Sequence, residues 1–311
     1  MIETVVSVNL PVDEKMEIKK NRIKPDILTG KEKRICLVTG THGDELEGQY
    51  VCYKMNKIIN ENKQYLKGIV DIYPALNPLG IDSISRGIPM FDLDMNRIFP
   101  GDSEGAMPEY VASKIIEDIK EADMCVDIHS SNIFLMEIPQ VRISEQTAEK
   151  LVPFAKKLNI DFIWVHAAAT VLESTLAHSL NSIGVPTLVV EMGVGMRITK
   201  SYGEQLVKGL FNLMSKLGIW TGPVEEPKVP IISKNEEVGF INAEASGVFV
   251  PSIKHGDKVK KGEVAGSIVE PLTGKILSEE LSPCDGIVFT LREFPIVYEG
   301  SLIARVLEGE E

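Results

Sequence analysis

Arg34-Ile-Cys-Leu-Val-Thr39-Gly-Thr-His42-Gly-Asp-Glu45-Leu-Glu-Gly48 reads as a short, almost wholly apolar strand, a glycine-rich turn and the start of a helix running from Asp44 to about Asn60. A strand apolar on both faces belongs inside a parallel sheet covered on both sides. The carboxyl end of such a strand is where open α/β sheets place their ligands. His42 and Glu45 are three residues apart, so a turn or a first helical turn brings both to one side. An imidazole and a carboxylate placed this way can take two positions of a zinc tetrahedron. Taken alone, the same pair also suits a helix N-terminus or a surface contact.

The strand–helix alternation extends in both directions. Glu3–Leu10 and Lys15–Ile23 read as two short strands, Ile69–Ala75 as a strand and Pro108–Glu121 as a helix with Val111, Ile115, Ile116 and Ile119 on one face. Met124–His129 is a buried strand, Ala148–Leu158 a helix, Phe162–Val165 a strand, Ser174–Ile183 a helix, Pro186–Glu191 a strand and Tyr202–Leu217 the last long helix. This pattern predicts an α/β fold: a mixed, mostly parallel sheet flanked by helices. Near Gly222 the character changes. A Pro- and Glu-rich connector leads to short β-like pieces separated by glycine turns, which predict a small all-β, barrel-like module. The expected division is a catalytic domain over 1–230 and a β domain over 231–311.

The 311 residues suit two domains. A composition 44% hydrophobic and 25% charged excludes disordered, collagenous and disulfide-scaffold chains. The net charge of −12 argues against a nucleic-acid partner, which needs a basic footprint, and against docking on anionic lipid. Half of that charge falls on residues 231–311, with 8 Lys and Arg against 14 Asp and Glu. The first residues lack the basic and apolar regions of a signal peptide, and no apolar run is long enough to span a bilayer. Cys36, Cys52, Cys125 and Cys284 include no Cys-x-x-Cys pair and read as buried free thiols of a reducing compartment. A cytoplasmic protein is expected. Assembly as a homo-oligomer stays open.

Two further strand ends carry chemistry. In Asp123-Met-Cys-Val-Asp127-Ile-His129 a buried strand closes on a histidine, and Asp127 shares its face because side chains alternate. A carboxylate beside a ligating imidazole fixes its tautomer. The alternative is a core histidine bonded to a strand neighbour. In Pro186-Thr-Leu-Val-Val-Glu191-Met-Gly193 an acidic residue closes an apolar strand, where packing gives no reason for it. Two histidines and one carboxylate would leave a fourth zinc position for water, and Glu191 is the candidate to take that water's proton.

Between these segments lies the long polar stretch from Asn77 to Gly101, read as an ordered functional loop. Asn96-Arg97 offers a guanidinium fork beside an amide, suited to a carboxylate. Arg86 is a second cation able to hold an oxyanion. Both arginines could instead pair with Asp92 and Asp94.

His42-Gly-Asp-Glu45, Arg86, Asp94-Met-Asn96-Arg97-Ile-Phe-Pro-Gly, Asp127-Ile-His129-Ser and Val190-Glu191-Met-Gly together resemble the succinylglutamate desuccinylase/aspartoacylase family over roughly residues 30–220. That family goes with the zinc carboxypeptidases in fold and mechanism. The resemblance implies one zinc ion held by His42, Glu45 and His129, and Glu191 as general base and acid. It also implies Arg86 on the oxyanion and Asn96 with Arg97 on a substrate carboxylate. Met95 stands where the family commonly has leucine, a swap that conserves volume. The stretch from Arg86 to Asn96 is longer than in aspartoacylase itself. Beyond residue 230 the turns resemble those of lipoyl and biotinyl carrier domains. Lys275 falls near a carrier lysine's place but lacks the flanking methionines of a biotinyl site.

The expected activity is hydrolysis of an N-acyl amino acid or similar small amide bearing a carboxylate, with Arg142 as a further substrate contact. The rival reading is a carboxypeptidase acting on short peptides.

Overall fold

The computed structural model describes residues 1–166, 173–234 and 237–309. The chain runs β1 (Ile2–Asn9), β2 (Lys15–Ile23), β3 (Arg34–Thr39), α1 (Glu47–Glu61), β4 (Ile69–Tyr73), α2 (Pro78–Ser83), α3 (Met107–Ile119), β5 (Met124–His129), β6 (Leu135–Ser144), α4 (Ala148–Ala155), β7 (Phe162–His166), α5 (Leu176–Ser182), β8 (Thr187–Gly193) and α6 (Lys200–Lys216). It continues through β9 (Ile231–Lys234), β10 (Val238–Asn242), β11 (Gly247–Pro251), β12 (Lys258–Val259), β13 (Val264–Glu270), β14 (Lys275–Leu281), β15 (Gly286–Arg292), β16 (Ile296–Val297) and β17 (Leu302–Glu308).

β4, β3, β5 and β8 lie side by side and parallel. The hairpin β1–β2 extends them antiparallel at one edge, and β6 runs antiparallel to β8 at the other. Strands with no polar face are covered twice. On one face Val51, Cys52, Met55 and Ile59 of α1 pack with α4 and α6 residues such as Leu151, Leu206 and Leu210; on the other, α3 and α5 supply Val111, Ile115, Leu176 and Leu180. The mixed α/β sheet flanked by helices is as expected.

The strand β6 was not foreseen, because Pro139 breaks its pattern. A proline cannot donate to the ladder and is tolerated at a bulge. The register of β6 against β8 shifts between Glu137 and Gln140, where Pro139 sits. The Asn77–Gly101 stretch is likewise less bare than expected. Asn77 accepts a bond from Gly80 N at 2.9 Å and, with Pro78 behind it, starts α2.

The region after residue 230 is joined to the helix-flanked sheet rather than set apart from it. β15 pairs with β6 and β17 with β15, then β10 with β17, so these strands prolong the main sheet; β11, β13, β14 and β16 form a second sheet over a separate core that includes Phe249, Ile268, Val288 and Ile303. No helix among the described residues is long and apolar enough to cross a membrane. All four cysteines are free and buried, and burial pushes the Cys36 and Cys52 thiols up to about 12, which removes them as thiolate nucleophiles.

At the amino end of β3, away from the strand ends that carry His129 and Glu191, a buried charge cluster ties the hairpin to the sheet. Asp71 on β4 is fully buried and receives Arg22 through Nε and Nη2 at 2.8 and 2.7 Å and Arg34 Nε at 2.8 Å, with Lys20 Nζ at 3.4 Å. Burial alone would raise its pKa. The three cations outweigh that and hold the carboxyl below its usual value. Stability from this group is therefore complete above the unfolded-state value of about 3.9 and is lost as pH falls through the lower folded value. Asp71→Asn strands buried cations and should cost about 3–5 kcal/mol at neutral pH. Urea unfolding checks this, and the gap to the parent chain should close on acidification below about pH 4.

Candidate active site

The site lies at the carboxyl ends of three adjacent parallel strands. His42 leaves the turn after β3, His129 closes β5 and Glu191 stands near the end of β8, directly opposite His129 in the register. The turn after β3 packs against α2. A Cβ on Gly43 would lie 2.0 Å from the Gly80 carbonyl carbon, so only glycine fits there, and Gly43 N donates to Arg86 O at 3.3 Å. This contact delivers both His42 and Arg86 to the same place.

His42, Glu45 and His129 are all buried, and one donor atom from each lies within 4.8 Å of the others. His42 Nδ1 is 2.7 Å from Glu45 Oε1 and His129 Nδ1 is 2.9 Å from Glu45 Oε2. Both imidazoles thus turn the same nitrogen toward one carboxylate. Their other nitrogens face further carboxylates: His42 Nε2 is 2.9 Å from Asp94 Oδ1, and His129 Nε2 is 3.0 Å from Asp127 Oδ2. The second pair is close but not aligned as a hydrogen bond, and neither Asp127 oxygen has another bonding partner among the described residues. Two imidazole nitrogens and a carboxylate, each imidazole backed by a carboxylate, are a donor set and supporting shell that could hold a metal ion.

The charges reinforce one another. Burial raises the Glu45 pKa, but His129 and His42 beside it hold the carboxyl well below the usual range. Burial likewise opposes ionisation of Asp94, which His42 and Arg86 reverse. For His129, burial pulls the pKa down while Asp127 and Glu45 raise it further; for His42 the opposing carboxylates are Asp94 and Glu45.

Glu191 is flanked by His129 on β5 and Gln140 on β6. Its side chain is 16% exposed, and burial pushes its pKa up to about 7 against the pull of Arg142 and His129. A carboxylate of that basicity can exchange protons near neutrality. Arg142 Nη1 lies 3.5 Å from Glu191 Oε1, while its Nη2 binds both oxygens of Glu137 at 2.8 and 2.7 Å. Arg142 is therefore beside the site but engaged by carboxylates.

Arg86 also joins the group, with Nη1 2.9 Å from Glu45 Oε1 and Nε 3.6 Å from Asp94 Oδ2. Asn96 and Arg97 sit in the turn that follows Asp94. Asn96 is buried and accepts Leu176 N at 2.9 Å, at the start of α5; Arg97 is exposed, with Nη1 on Asn96 O at 2.8 Å. Two neighbours of the site escaped the sequence reading. Asp94 was weighed only as a partner for arginines, although Asp-x-Asn in a polar loop was a signal. Glu137 had no signal, because β6 itself was hidden by Pro139.

The model of the succinylglutamate desuccinylase/aspartoacylase catalytic domain matches residues 31–217. An N-alpha-acetyl-L-2,4-diaminobutyric acid deacetylase of Halomonas elongata is 25% identical over 285 residues, covering 88% of this chain and 82% of that protein. A succinylglutamate desuccinylase/aspartoacylase structure from Rhodobacter sphaeroides superposes with a TM-score of 0.82 at 23% identity, covering 100% of this chain and 96% of that one. A product-bound ectoine utilization protein from Ruegeria pomeroyi gives 0.83 at 22% identity, over 98% and 93% of the two chains. These structures share the whole fold, the antiparallel C-terminal region included. With the domain match spanning β3 to α6 and every strand end described above, the chain belongs to the succinylglutamate desuccinylase/aspartoacylase family.

Proposed function

We propose that the protein is a zinc-dependent amidohydrolase that removes the acyl group from an N-acyl amino acid or similar small amide bearing a carboxylate. The observation that carries this reading is the shared aim of His42 Nδ1 and His129 Nδ1 on Glu45, with Glu191 opposite His129. The deacetylase named for Halomonas elongata supports acyl removal over peptide trimming. A division into a catalytic part to about residue 230 and a β part over 231–311 belongs to the same proposal.

His42, Glu45 and His129 would hold the ion. Zinc bound there supplies Lewis acidity, polarising an amide carbonyl and easing loss of a proton from water. Glu191 takes the proton of the attacking water and later delivers it to the leaving amine, a double role suited to a carboxyl titrating near 7. Arg86 stands over Glu45 and Asp94, where its guanidinium can swing onto the oxyanion that develops at the carbonyl. Arg97, exposed beside buried Asn96, offers its free guanidinium face to the substrate carboxylate and fixes its distance from the scissile bond. Asp94 orients the His42 imidazole, and the buried Asp127 carboxylate places its charge 3.0 Å behind His129 Nε2.

Glu191→Gln should keep stoichiometric zinc and lose turnover by about a thousandfold or more, in the range of removing a principal proton-transfer group. Elemental analysis and steady-state rates on the same preparation check both halves. His42→Ala should bind clearly less than one zinc per chain. Asp127→Asn should weaken zinc binding about 10- to 100-fold in competition with a chelator, because His129 loses the carboxylate charge behind its ring. A panel of N-acetyl and N-succinyl amino acids against dipeptides should show turnover of the acylated amino acids; hydrolysis of the dipeptides alone would favour the carboxypeptidase reading.

A further inference from the structure

A row of side chains links the C-terminal β region to the site. Glu137 on β6 stands opposite Thr290 on β15, and Thr290 stands opposite Arg305 on β17. On its other side Glu137 stands opposite Gly193 of β8. Glu137 is 1% exposed, and its carboxylate accepts Gln140 Nε2 at 2.9 Å, Arg142 Nη2 at 2.7 Å, Arg305 Nη1 at 2.8 Å and Thr290 Oγ1 at 3.5 Å. The bulge at Pro139 makes this convergence possible. In a regular strand residues 137 and 140 point to opposite faces. The extra residue changes the phase, so Glu137 joins Gln140 and Arg142 on the face that carries Glu191. Trp164 on β7 confines both guanidinium groups, with the Cζ atoms of Arg142 and Arg305 each 5.5 Å from its ring centroid.

We infer that Arg305 and Thr290 are positioning residues for the hydrolytic reaction: by fixing Glu137 they set the distance between Arg142 and Glu191, so that the C-terminal region tunes the catalytic carboxylate rather than only covering the sheet. This rests on Glu191 being the proton-transferring group. The physical reason is competition for one guanidinium. Arg142 lies between two carboxylates, Glu137 at 2.7 Å and Glu191 at 3.5 Å. While Arg305 shares the charge of Glu137, Arg142 keeps one arm for Glu191. Without Arg305, the buried Glu137 has one cation fewer and draws Arg142 away.

The test compares Arg305→Met, Arg305→Lys, Thr290→Val and Glu191→Gln in the full chain loaded with zinc. It measures kcat and KM on N-acetyl amino acids, bound zinc, and the Arg142–Glu191 distance in crystals. Arg305→Met is expected to lower kcat about 10- to 100-fold, the usual effect of removing an orienting partner, with KM nearly unchanged and zinc retained. The Arg142–Glu191 gap should open. Arg305→Lys should restore most of the rate and the gap. Thr290→Val removes a hydroxyl with little change of shape; it should lower kcat several-fold and serves if Arg305→Met does not fold. Unchanged kcat and unchanged Arg142–Glu191 spacing in Arg305→Met or Thr290→Val, beside an inactive Glu191→Gln, would overturn the positioning role alone. A near-normal rate for Glu191→Gln would overturn the general-base reading beneath it.

Discussion

The carboxylate of Glu45 is the constraint around which the site is arranged. One oxygen meets His42, the other meets His129, and Ser130 N adds a backbone bond at 3.1 Å. An ionised, buried carboxylate is tolerated only where opposing charge and donors surround it. Here they come from three separate chain segments: the turn after β3, the end of β5 and, through Arg86, the stretch after α2. Holding Glu45 ionised therefore requires the parallel pairing of β3 with β5 and the glycine-tight packing of the turn on α2. The fold and the donor set are the same requirement seen at two scales.

Electrostatics divide the molecule along its strands. The Asp71 cluster at the amino end of β3 has one central carboxylate and three cations, with Asp118 also meeting Lys20 and Arg34. Glu3 of β1 adds a second carboxylate from the hairpin, 3.4 Å from Arg22 and 3.7 Å from Lys20, so the cluster is a joint between hairpin and sheet. The carboxyl ends instead carry carboxylates in excess, Glu45, Asp94, Asp127 and Glu191 around two imidazoles and Arg86. Such a surplus suits a bound divalent cation. On the proposed reading an anionic substrate enters a chain of net charge −12, which requires the cation, Arg86 and Arg97 to reverse the sign locally.

Much of this was legible in the sequence. Apolar strands ending in His129 and Glu191, and the strand–turn–helix around His42, carry their signals locally, because an ionisable residue closing an apolar run has no packing reason to be there. The joining of His42, Glu45 and His129 follows once the strands are parallel neighbours. What stayed hidden is non-local or masked by one residue. Pro139 concealed β6 and with it Glu137, and polar composition around Asn77 concealed α2 despite its Asn-Pro start. That β15 and β17 would continue the catalytic sheet depends on pairing between segments over 150 residues apart, which no local pattern encodes. For the same reason the sequence alone showed Arg142 as a free cation rather than one shared between Glu137 and Glu191.

The central claim is that two imidazoles and one carboxylate hold a zinc ion beside Glu191. X-ray absorption at the zinc edge of the purified protein tests it most directly. The account predicts a first shell of two imidazole nitrogens at about 2.0–2.1 Å with oxygens at about 2.0–2.2 Å and no sulfur. A shell containing thiolate sulfur at about 2.3 Å, or one with no imidazole scattering, would contradict it.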